Sequence, residues 1–202
     1  PPTGGIYVGT SPQGKIYKVD PTGKAAVFFD PDDRYIWSVA VDRSGNVFAA
    51  TGDKGIIYKI TPDGKGSTFY ATKVWTSGRD KGLAQIERPL RAMRTQRLDL
   101  LQIHNLLDWR THVATLRQLK SGGENRFTGV THYTVGAHSE LESVLRAERF
   151  EFAQFNYSIG TRAAEQRLLP YCQEHGIGVL INRPFEEGAL FTRVRDRKLP
   201  GY

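Results

Sequence analysis

The first third of the sequence contains an internal repeat. The segment from Ile6 to Asp30 aligns with the segment from Val47 to Ala71, at an offset of 41 residues. In both copies, β-branched and aromatic runs are separated by turn-forming Pro, Gly and Asp residues, a pattern typical of short strands. The repeat therefore predicts a unit of strand, turn, strand, turn and strand.

The length of this repeat indicates an architecture. A period near 40 residues with about four short strands is the spacing of a β-propeller blade. The run from Gly14 to Lys24 also resembles the strand and turn of a bacterial propeller. Closed propellers contain about four to eight blades, and fewer than two are present in this sequence. We therefore expect residues 1–70 to form a partial, antiparallel β-propeller that does not close its own ring.

The sequence after about Tyr70 follows a different period, in which short apolar runs alternate with helical stretches. The predicted strands are Tyr70 to Trp75, Leu98 to Ile103, Phe127 to Tyr133, Phe152 to Tyr157 and Gly178 to Asn182. The predicted helices are Gly82 to Thr95, Trp109 to Lys120, Ala137 to Glu148 and Arg162 to His175. Consecutive strand–helix units predict a parallel sheet with right-handed crossovers. This spacing leaves a (β/α)₈ barrel and a doubly wound open sheet as alternatives.

Composition excludes several classes of protein. The chain has 202 residues and 39% hydrophobic residues, and it contains no apolar run of the roughly 20 residues that span a bilayer. The net charge of +7 comes from scattered basic residues, so we expect neither a nucleic-acid partner nor a membrane partner. A single cysteine and the absence of a signal pattern lead us to expect a cytoplasmic protein. His112, His138 and His175 fall on predicted helices without metal-ligand spacing, so we expect them on the surface and predict no metal site.

Five segments after Tyr70 resemble consecutive motifs of the aldo-keto reductases, in the order and spacing of that family. They are Ala71 to Trp75, Leu98 to Asn105, Thr128 to Tyr133, Gln154 to Ser158 and Val179 to Leu190. The resemblance identifies residues 71–202 as strands 3 to 7 of an aldo-keto reductase barrel. It thus implies an α/β fold, a partial (β/α)₈ TIM barrel of five βα units, preceded by the antiparallel propeller-like segment.

The resemblance also implies an activity. Members of this family reduce aldehyde or ketone carbonyls with hydride from NADPH, while a tyrosine donates a proton to the developing alkoxide. A lysine paired with an aspartate lowers the pKa of that tyrosine, and a histidine orients the substrate oxygen. By resemblance, Lys73 and His104 hold the lysine and histidine roles. Both lie at C-terminal strand ends, where barrel enzymes assemble their active sites.

The cofactor residues follow from the same resemblance. Thr131 and His132 stand where the family's Ser-Asn pair binds the nicotinamide carboxamide, and Gln154 matches a third polar contact. Asn182 takes the place of a tyrosine that stacks on the nicotinamide in many members. The segment that carries Arg183, Pro184, Phe185 and Gly188 matches the cofactor loop after the seventh strand.

Two parts of the family pattern are not found in this sequence. The family's first two strands carry the catalytic Asp and Tyr, and the repeat takes their place before Lys73. The sequence also stops before the eighth strand and the basic motif for the adenosine 2′-phosphate. Because a full barrel needs about 250 residues, we expect a fragment or a chimera with impaired reductase activity.

A non-catalytic reading stays open beside the enzymatic one. The chain is either an impaired reductase that takes a small-molecule carbonyl substrate, or an inactive chimera or propeller-type binding module. The two hypotheses differ in whether a proton-donating tyrosine lies near His104. Five parallel strands without closure leave two sheet edges, so self-association through these edges is expected as well.

Overall fold

The computed structural model describes residues 5–42, 44–52 and 56–195. The chain divides into two compact units, Pro1–Ala71 and Thr72–Tyr202.

The first unit contains two antiparallel sheets. A three-stranded sheet has the order β1 (Ile6–Gly9), β2 (Ile16–Val19) and β3 (Ala25–Phe29). A four-stranded sheet has the order β4 (Ile36–Val41), β5 (Val47–Thr51), β6 (Ile57–Ile60) and β7 (Gly66–Phe69). Strand β1 pairs with β2, and β5 pairs with β6, in antiparallel registers.

The two sheets carry the sequence repeat in the same register. Ile6 pairs with Val19 in the first sheet, and the residues 41 positions later, Val47 and Ile60, pair in the second. The buried core of this unit consists of Ile16, Ile36, Val47, Ala49 and Ile60. Because these side chains come from both sheets, they form one small hydrophobic cluster.

The second unit is an α/β structure in which strands and helices alternate. Its strands are β8 (Ala71–Val74), β9 (Leu98–Ile103), β10 (Asn125–His132), β11 (Phe152–Asn156) and β12 (Gly178–Asn182). Its helices are α1 (Arg79–Ala92), α2 (Trp109–Ser121), α3 (His138–Ala147), α4 (Leu168–Glu174) and α5 (Ala189–Val194). Short 3₁₀ turns follow β9, β10, β11 and β12.

These five strands form one sheet in the order β12-β11-β10-β9-β8. The pairs β9–β10, β10–β11 and β11–β12 are parallel. The predicted parallel sheet and its strand order are therefore confirmed, and the predicted bounds of β9 and β12 match those observed. A sheet built from sequential strands in one direction is consistent with part of a TIM barrel.

The core of this unit lies between the sheet and its helices. Ile103, Val130 and Phe155 are fully buried on one side of neighbouring strands. Helix residues Leu116, Leu141 and Leu168 are 0 or 1% exposed and belong to the same core. Cys172 on α4 is also fully buried, and burial raises the pKa of its thiol to about 11. The cysteine is thus a core residue.

Two helix predictions need correction. The first helix runs from Arg79 to Ala92 rather than from Gly82 to Thr95, and it keeps Pro89 within its last turn. The predicted helix from Arg162 to His175 is broken, because a 3₁₀ turn (Ala163–Gln166) precedes the short α4. Arg167 between them has φ of −143°, which is outside the helical region.

The surface position predicted for His112 is also wrong. His112 is fully buried on α2, and its Nε2 lies 2.7 Å from the carbonyl oxygen of Thr76. Gly82 on α1 permits this close packing, since a Cβ there would stand 2.6 Å from the His112 ring. His138 is half-buried and only His175 is exposed among the three helical histidines. No helix in the described residues is long and apolar enough to cross a membrane.

Candidate active site

The strand register places several polar residues side by side at the C-terminal edge of the sheet. Thr131 on β10 pairs directly with Gln154 on β11. His104 follows Ile103, whose partner on β10 is Val130, the residue before Thr131. Opposed residues of a parallel pair point to the same face. Thr131 and Gln154 therefore share the face of the sheet that His104 reaches.

A hydrogen bond connects the end of β9 to β10. His104 Nδ1 lies 3.1 Å from Thr131 Oγ1, and the Asn105 backbone N–H donates to the same hydroxyl oxygen at 3.3 Å. Thr131 is 2% exposed, so this bond is shielded from water. The backbone at Asn105 has φ of 52°, a left-handed conformation that is rare outside glycine. The turn after β9 is therefore held in an unusual conformation that fixes the His104 ring.

Trp75 also packs against His104. Its ring centroid lies 5.1 Å from that of His104, in an edge-on arrangement at 81°. Strand alternation places Trp75 on the same face of β8 as Lys73, two residues earlier. Lys73, Trp75 and His104 thus form one group at this edge.

Electrostatics couples Lys73 to His104. Desolvation by neighbouring protein atoms lowers the pKa of Lys73, although part of its side chain is exposed. Partial burial, followed by the positive charge of Lys73, lowers the pKa of His104. Because a lower pKa favours the neutral imidazole, His104 is uncharged at neutral pH and offers one nitrogen donor and one acceptor.

Several buried amide atoms near this edge have no hydrogen-bond partner in the part of the chain that the structure describes. They are Gln154 Oε1, Asn182 Oδ1, Asn105 Oδ1 and Gln102 Nε2. An unpaired buried polar atom costs about 1–3 kcal/mol. Gln154 lies on β11, which borders β10, and Asn182 lies on β12, the next strand of the sheet. Two acceptor oxygens therefore remain available at this edge to a ligand that carries N–H groups.

The strand pairing places His132 apart from the group of Lys73, Trp75 and His104. Its partner on β11 is Phe155, a fully buried residue of the helix-facing side. The Thr134 N–H donates to His132 Nδ1 at 3.3 Å, and burial lowers the pKa of His132. The structure thus places His132 beside the site and on the opposite face from Thr131.

The loop after β12 contains the remaining predicted cofactor residues. The guanidinium of Arg183 lies 4.5 Å from the Tyr133 ring centroid and forms an ion pair with Glu187 at 3.0 Å. Arg183 and Glu187 have φ of 55° and 57°. Pro184 follows Arg183, Phe185 packs 5.1 Å from Phe191, and Gly188 has φ of 95°. Left-handed residues of this kind collect in loops that bind ligands.

Hydrogen bonds to Glu186 connect this loop to the loop after β11. Its Oε1 accepts hydrogen bonds from the hydroxyls of Ser158 at 2.6 Å and Thr161 at 2.9 Å. These two bonds lower the pKa of Glu186. A cavity of about 340 Å³ lies between the loops, lined by Tyr133, Thr134, Asn156, Arg183 and Glu187 among others. The two loops therefore form a connected rim beside the β10–β12 strand ends.

Sequence comparison identifies the group of proteins with this arrangement. The model of the Aldo/keto reductase family matches residues 57–201, well over half of the chain. The chain belongs to the aldo/keto reductase family. The match of this aldo/keto reductase chain begins within the second copy of the repeat, upstream of the boundary expected near residue 70.

Two curated relatives of this aldo/keto reductase come from Escherichia coli strain K12. The NADH-specific methylglyoxal reductase is 34% identical over 89 residues, which is 44% of this chain and 26% of that protein. The methylglyoxal reductase YeaE is 28% identical over 115 residues, which is 56% of this chain and 40% of that protein. The chain therefore spans less than half the length of either relative.

Solved structures show the same fold. The holo form of an aldo-keto reductase from Bacillus halodurans has 26% sequence identity and a TM-score of 0.54, with 65% of this chain and 45% of that chain covered. An aldo-keto reductase from a Medee basin deep-sea metagenome library has a TM-score of 0.53 at 18% identity, with 64% and 48% covered. Both likenesses support the partial-barrel assignment of the second unit.

Some residues of the site were not predicted from the sequence. Trp75 could have been found, because alternation along a strand places it on the face of Lys73. Ser158, Thr161 and Glu186 carry no such signal, since their contact joins loops distant in sequence. No group of three or more His, Cys, Asp or Glu residues suited to a metal ion occurs within residues 5–42, 44–52 and 56–195.

Proposed function

We propose that the C-terminal edge of strands β8–β12 is a nicotinamide-dependent carbonyl reductase site, with Lys73 and His104 as catalytic residues. The observation that carries this proposal is the His104–Thr131 hydrogen bond beside the unpaired acceptor Gln154 Oε1. The substrates are small aldehydes or ketones. Methylglyoxal, which is named in both E. coli relatives, is the first compound to test.

The residues present fit a nicotinamide. A carboxamide carries two N–H donors and one acceptor oxygen. Gln154 Oε1 and Asn182 Oδ1 are buried acceptors without partners among the described residues, and the Thr131 hydroxyl lies opposite Gln154. Thr131, Gln154 and Asn182 would hold the nicotinamide end, with His132 at its border. The loop of Arg183, Pro184, Phe185 and Gly188 would hold the phosphates. When bound, the cofactor supplies the hydride.

The chain's own residues orient the carbonyl and handle its proton. The Asn105 N–H already donates to Thr131 Oγ1, which leaves the Thr131 hydroxyl hydrogen free to reach His104 Nδ1. His104 Nε2 would then carry a hydrogen and donate to the substrate oxygen, as a neutral imidazole does. The Lys73 ammonium would add positive charge where the alkoxide develops.

Activity of this polypeptide is proposed to be low. In the family that the sequence resembles, the proton donor is a tyrosine on one of the strands that precede the catalytic lysine. In this chain, two antiparallel sheets precede Lys73 instead. We propose that residues 1–70 are a partial β-propeller joined to residues 71–202 in a chimera. The shared register of the two sheets supports this origin. The alternative function is a propeller-type binding module with an inactive reductase portion.

The cofactor proposal includes a preference for NADPH over NADH. The alternative is a preference for NADH, because one E. coli relative is named as NADH-specific.

We also propose that the edge strands β8 and β12 mediate self-association, since an unpaired edge offers backbone hydrogen-bonding groups to a second chain.

Fluorescence titration with NADPH and NADH tests the cofactor site. We expect Gln154→Leu and Thr131→Val each to weaken NADPH binding by about fivefold to tenfold, because each removes one hydrogen bond worth about 1 kcal/mol. Gln173→Leu replaces an exposed glutamine of α4 and serves as the matched control. Equal affinities in the control and both variants would place the nucleotide elsewhere.

A further inference from the structure

Lys73 carries an amine that has no carboxylate partner in the part of the chain that the structure describes. None of the hydrogen bonds or ion pairs found among the described residues involves its Nζ. Partial desolvation lowers the pKa of Lys73, with no opposing contribution from a nearby acid. Most lysines are poor nucleophiles because they are protonated, and desolvation of the amine is one way in which proteins activate them.

A cavity lies beside this lysine. It has a volume of about 430 Å³ and is lined by Thr72, Lys73, Gln85, Arg88, Pro89 and Ala92. The lining contains two basic residues and no acidic one. Small aldehydes fit within a space of this size, and Arg88 is exposed and able to pair with an anion.

The imidazole of His104 lies at the same edge of the sheet as this amine. Trp75, two residues after Lys73, has its ring centroid 5.1 Å from that of His104, and the charge of Lys73 contributes to the lowered pKa of His104. In the tautomer with its hydrogen on Nδ1, the reverse of the one used in the proposed reduction, His104 donates to Thr131 Oγ1 and keeps Nε2 free to accept a proton. A neutral histidine next to an amine can accept a proton from it and return that proton to a leaving hydroxyl.

We propose that Lys73 captures small aldehydes covalently as an imine, and that the cavity favours aldehydes that carry a carboxylate. This reaction is separate from the proposed reduction, although it uses the same lysine and the same class of carbonyl compound. It requires no nicotinamide nucleotide.

The reaction balances without an oxidant or reductant. The Nζ lone pair adds to the carbonyl carbon, and the electrons of the C=O double bond move to oxygen. Nitrogen loses a proton to His104 and oxygen gains one, which gives a carbinolamine. The C–O bond then breaks, the hydroxyl leaves as water with a second proton from nitrogen, and a C=N bond forms. One amine and one aldehyde thus give one imine and one water.

Reductive trapping tests the proposal on the full chain. The protein is incubated at neutral pH with glyoxylate and sodium cyanoborohydride, which adds hydride to the imine carbon and fixes a secondary amine. Peptide mass spectrometry then measures the rate of labelling at each lysine. We expect Lys73 to be labelled at least about threefold faster than the exposed Lys81 of α1 in the same sample.

Two variants separate recognition from reactivity. Arg88→Gln removes the cation of the cavity and should slow glyoxylate labelling at Lys73 by about twofold to fivefold, the effect of one exposed ion pair. Labelling by the uncharged propanal should not change. Arg91→Gln is the matched control, because Arg91 lies on α1 in an ion pair with Glu87 and does not line the cavity.

The outcomes are distinct from those of the cofactor titration. Labelling of Lys73 no faster than that of Lys81 would overturn the covalent proposal, whether or not the protein binds NADPH. Equal effects of Arg88→Gln on glyoxylate and propanal would overturn the carboxylate preference. Fast labelling of Lys73 in a chain that binds no nucleotide would leave this inference standing and remove the proposed reductase function.

Discussion

Replacement of residues 1–70 by the two opening βα units of an intact family member is expected to raise kcat/KM for NADPH-dependent reduction by about 10²–10⁴-fold. A positioned proton donor contributes about this factor to proton transfer in a transition state. The replacement supplies the tyrosine and aspartate that the family resemblance places before Lys73. The measurement is NADPH consumption with methylglyoxal and a panel of aldehydes, in parallel with the unaltered chain.

A second replacement isolates the role of the tyrosine. The same βα units with their catalytic Tyr changed to Phe provide an identical scaffold without the phenol hydroxyl. We expect this control to return most of the gain, because its strands can pair but cannot donate the proton. Equal rates in the unaltered chain and the full replacement would show that another donor acts beside Lys73 and His104, and the impaired-chimera hypothesis would then be abandoned.

Phe155→Ala is expected to lower the free energy of unfolding of the second unit by about 3–5 kcal/mol, the usual cost of truncating a buried phenylalanine. Phe155 is fully buried on β11, and its ring lies 5.9 Å from that of His138 on α3. Truncation removes contacts between the sheet and this helix and leaves a cavity. Urea unfolding followed by the helical circular dichroism signal measures the change, because the α-helices of the described residues all lie in the second unit.

Ile159→Ala is the control for this truncation. Ile159 lies four residues later in the loop after β11 and is 81% exposed. Exposed substitutions of this kind usually change stability by less than about 0.5 kcal/mol. A small loss for Phe155→Ala, comparable to that of the control, would indicate that the sheet and helices of this unit do not unfold as one cooperative body.

Much of the second unit could be predicted from its sequence, because buried parallel strands are recognisable as short, mostly apolar runs. The run from Leu98 to Ile103 is apolar at most positions and matches β9 residue for residue. Parallel strands are covered on both faces, so most of their positions are apolar. The order of the strands follows from the helical connections, each of which joins two strands that are neighbours in the sheet. The pairing of Thr131 with Gln154 could be predicted for the same reason, since both residues lie near the C-terminal ends of neighbouring parallel strands.

Other features depend on contacts between segments that are distant in the sequence, and local sequence patterns do not predict such contacts. His112 lies on a helix like many surface histidines, but Gly82 on the neighbouring helix leaves room for its buried ring. The break at Arg167 is different, because Pro170 has no N–H to donate to the Gln166 carbonyl and its ring would clash with that carbonyl in a continuous helix. Glu186 and Ser158 meet through two loops whose geometry the strand pattern does not determine. Tertiary packing therefore decides the positions of His112 and Glu186, whereas the helix break has a local cause.

The proposed reaction passes hydride from a nicotinamide to a carbonyl compound at the edge formed by Lys73, His104, Thr131 and Gln154. Its most direct test is a prolonged incubation of the 202-residue chain with methylglyoxal and NADPH that carries deuterium at the transferable position, followed by mass spectrometry of the product. We expect one deuterium on the reduced carbon, with the yield lowered by His104→Phe by about 10²-fold and unchanged by His175→Phe at an exposed position. Product without deuterium, or equal deuterium yields in both variants, would contradict the account.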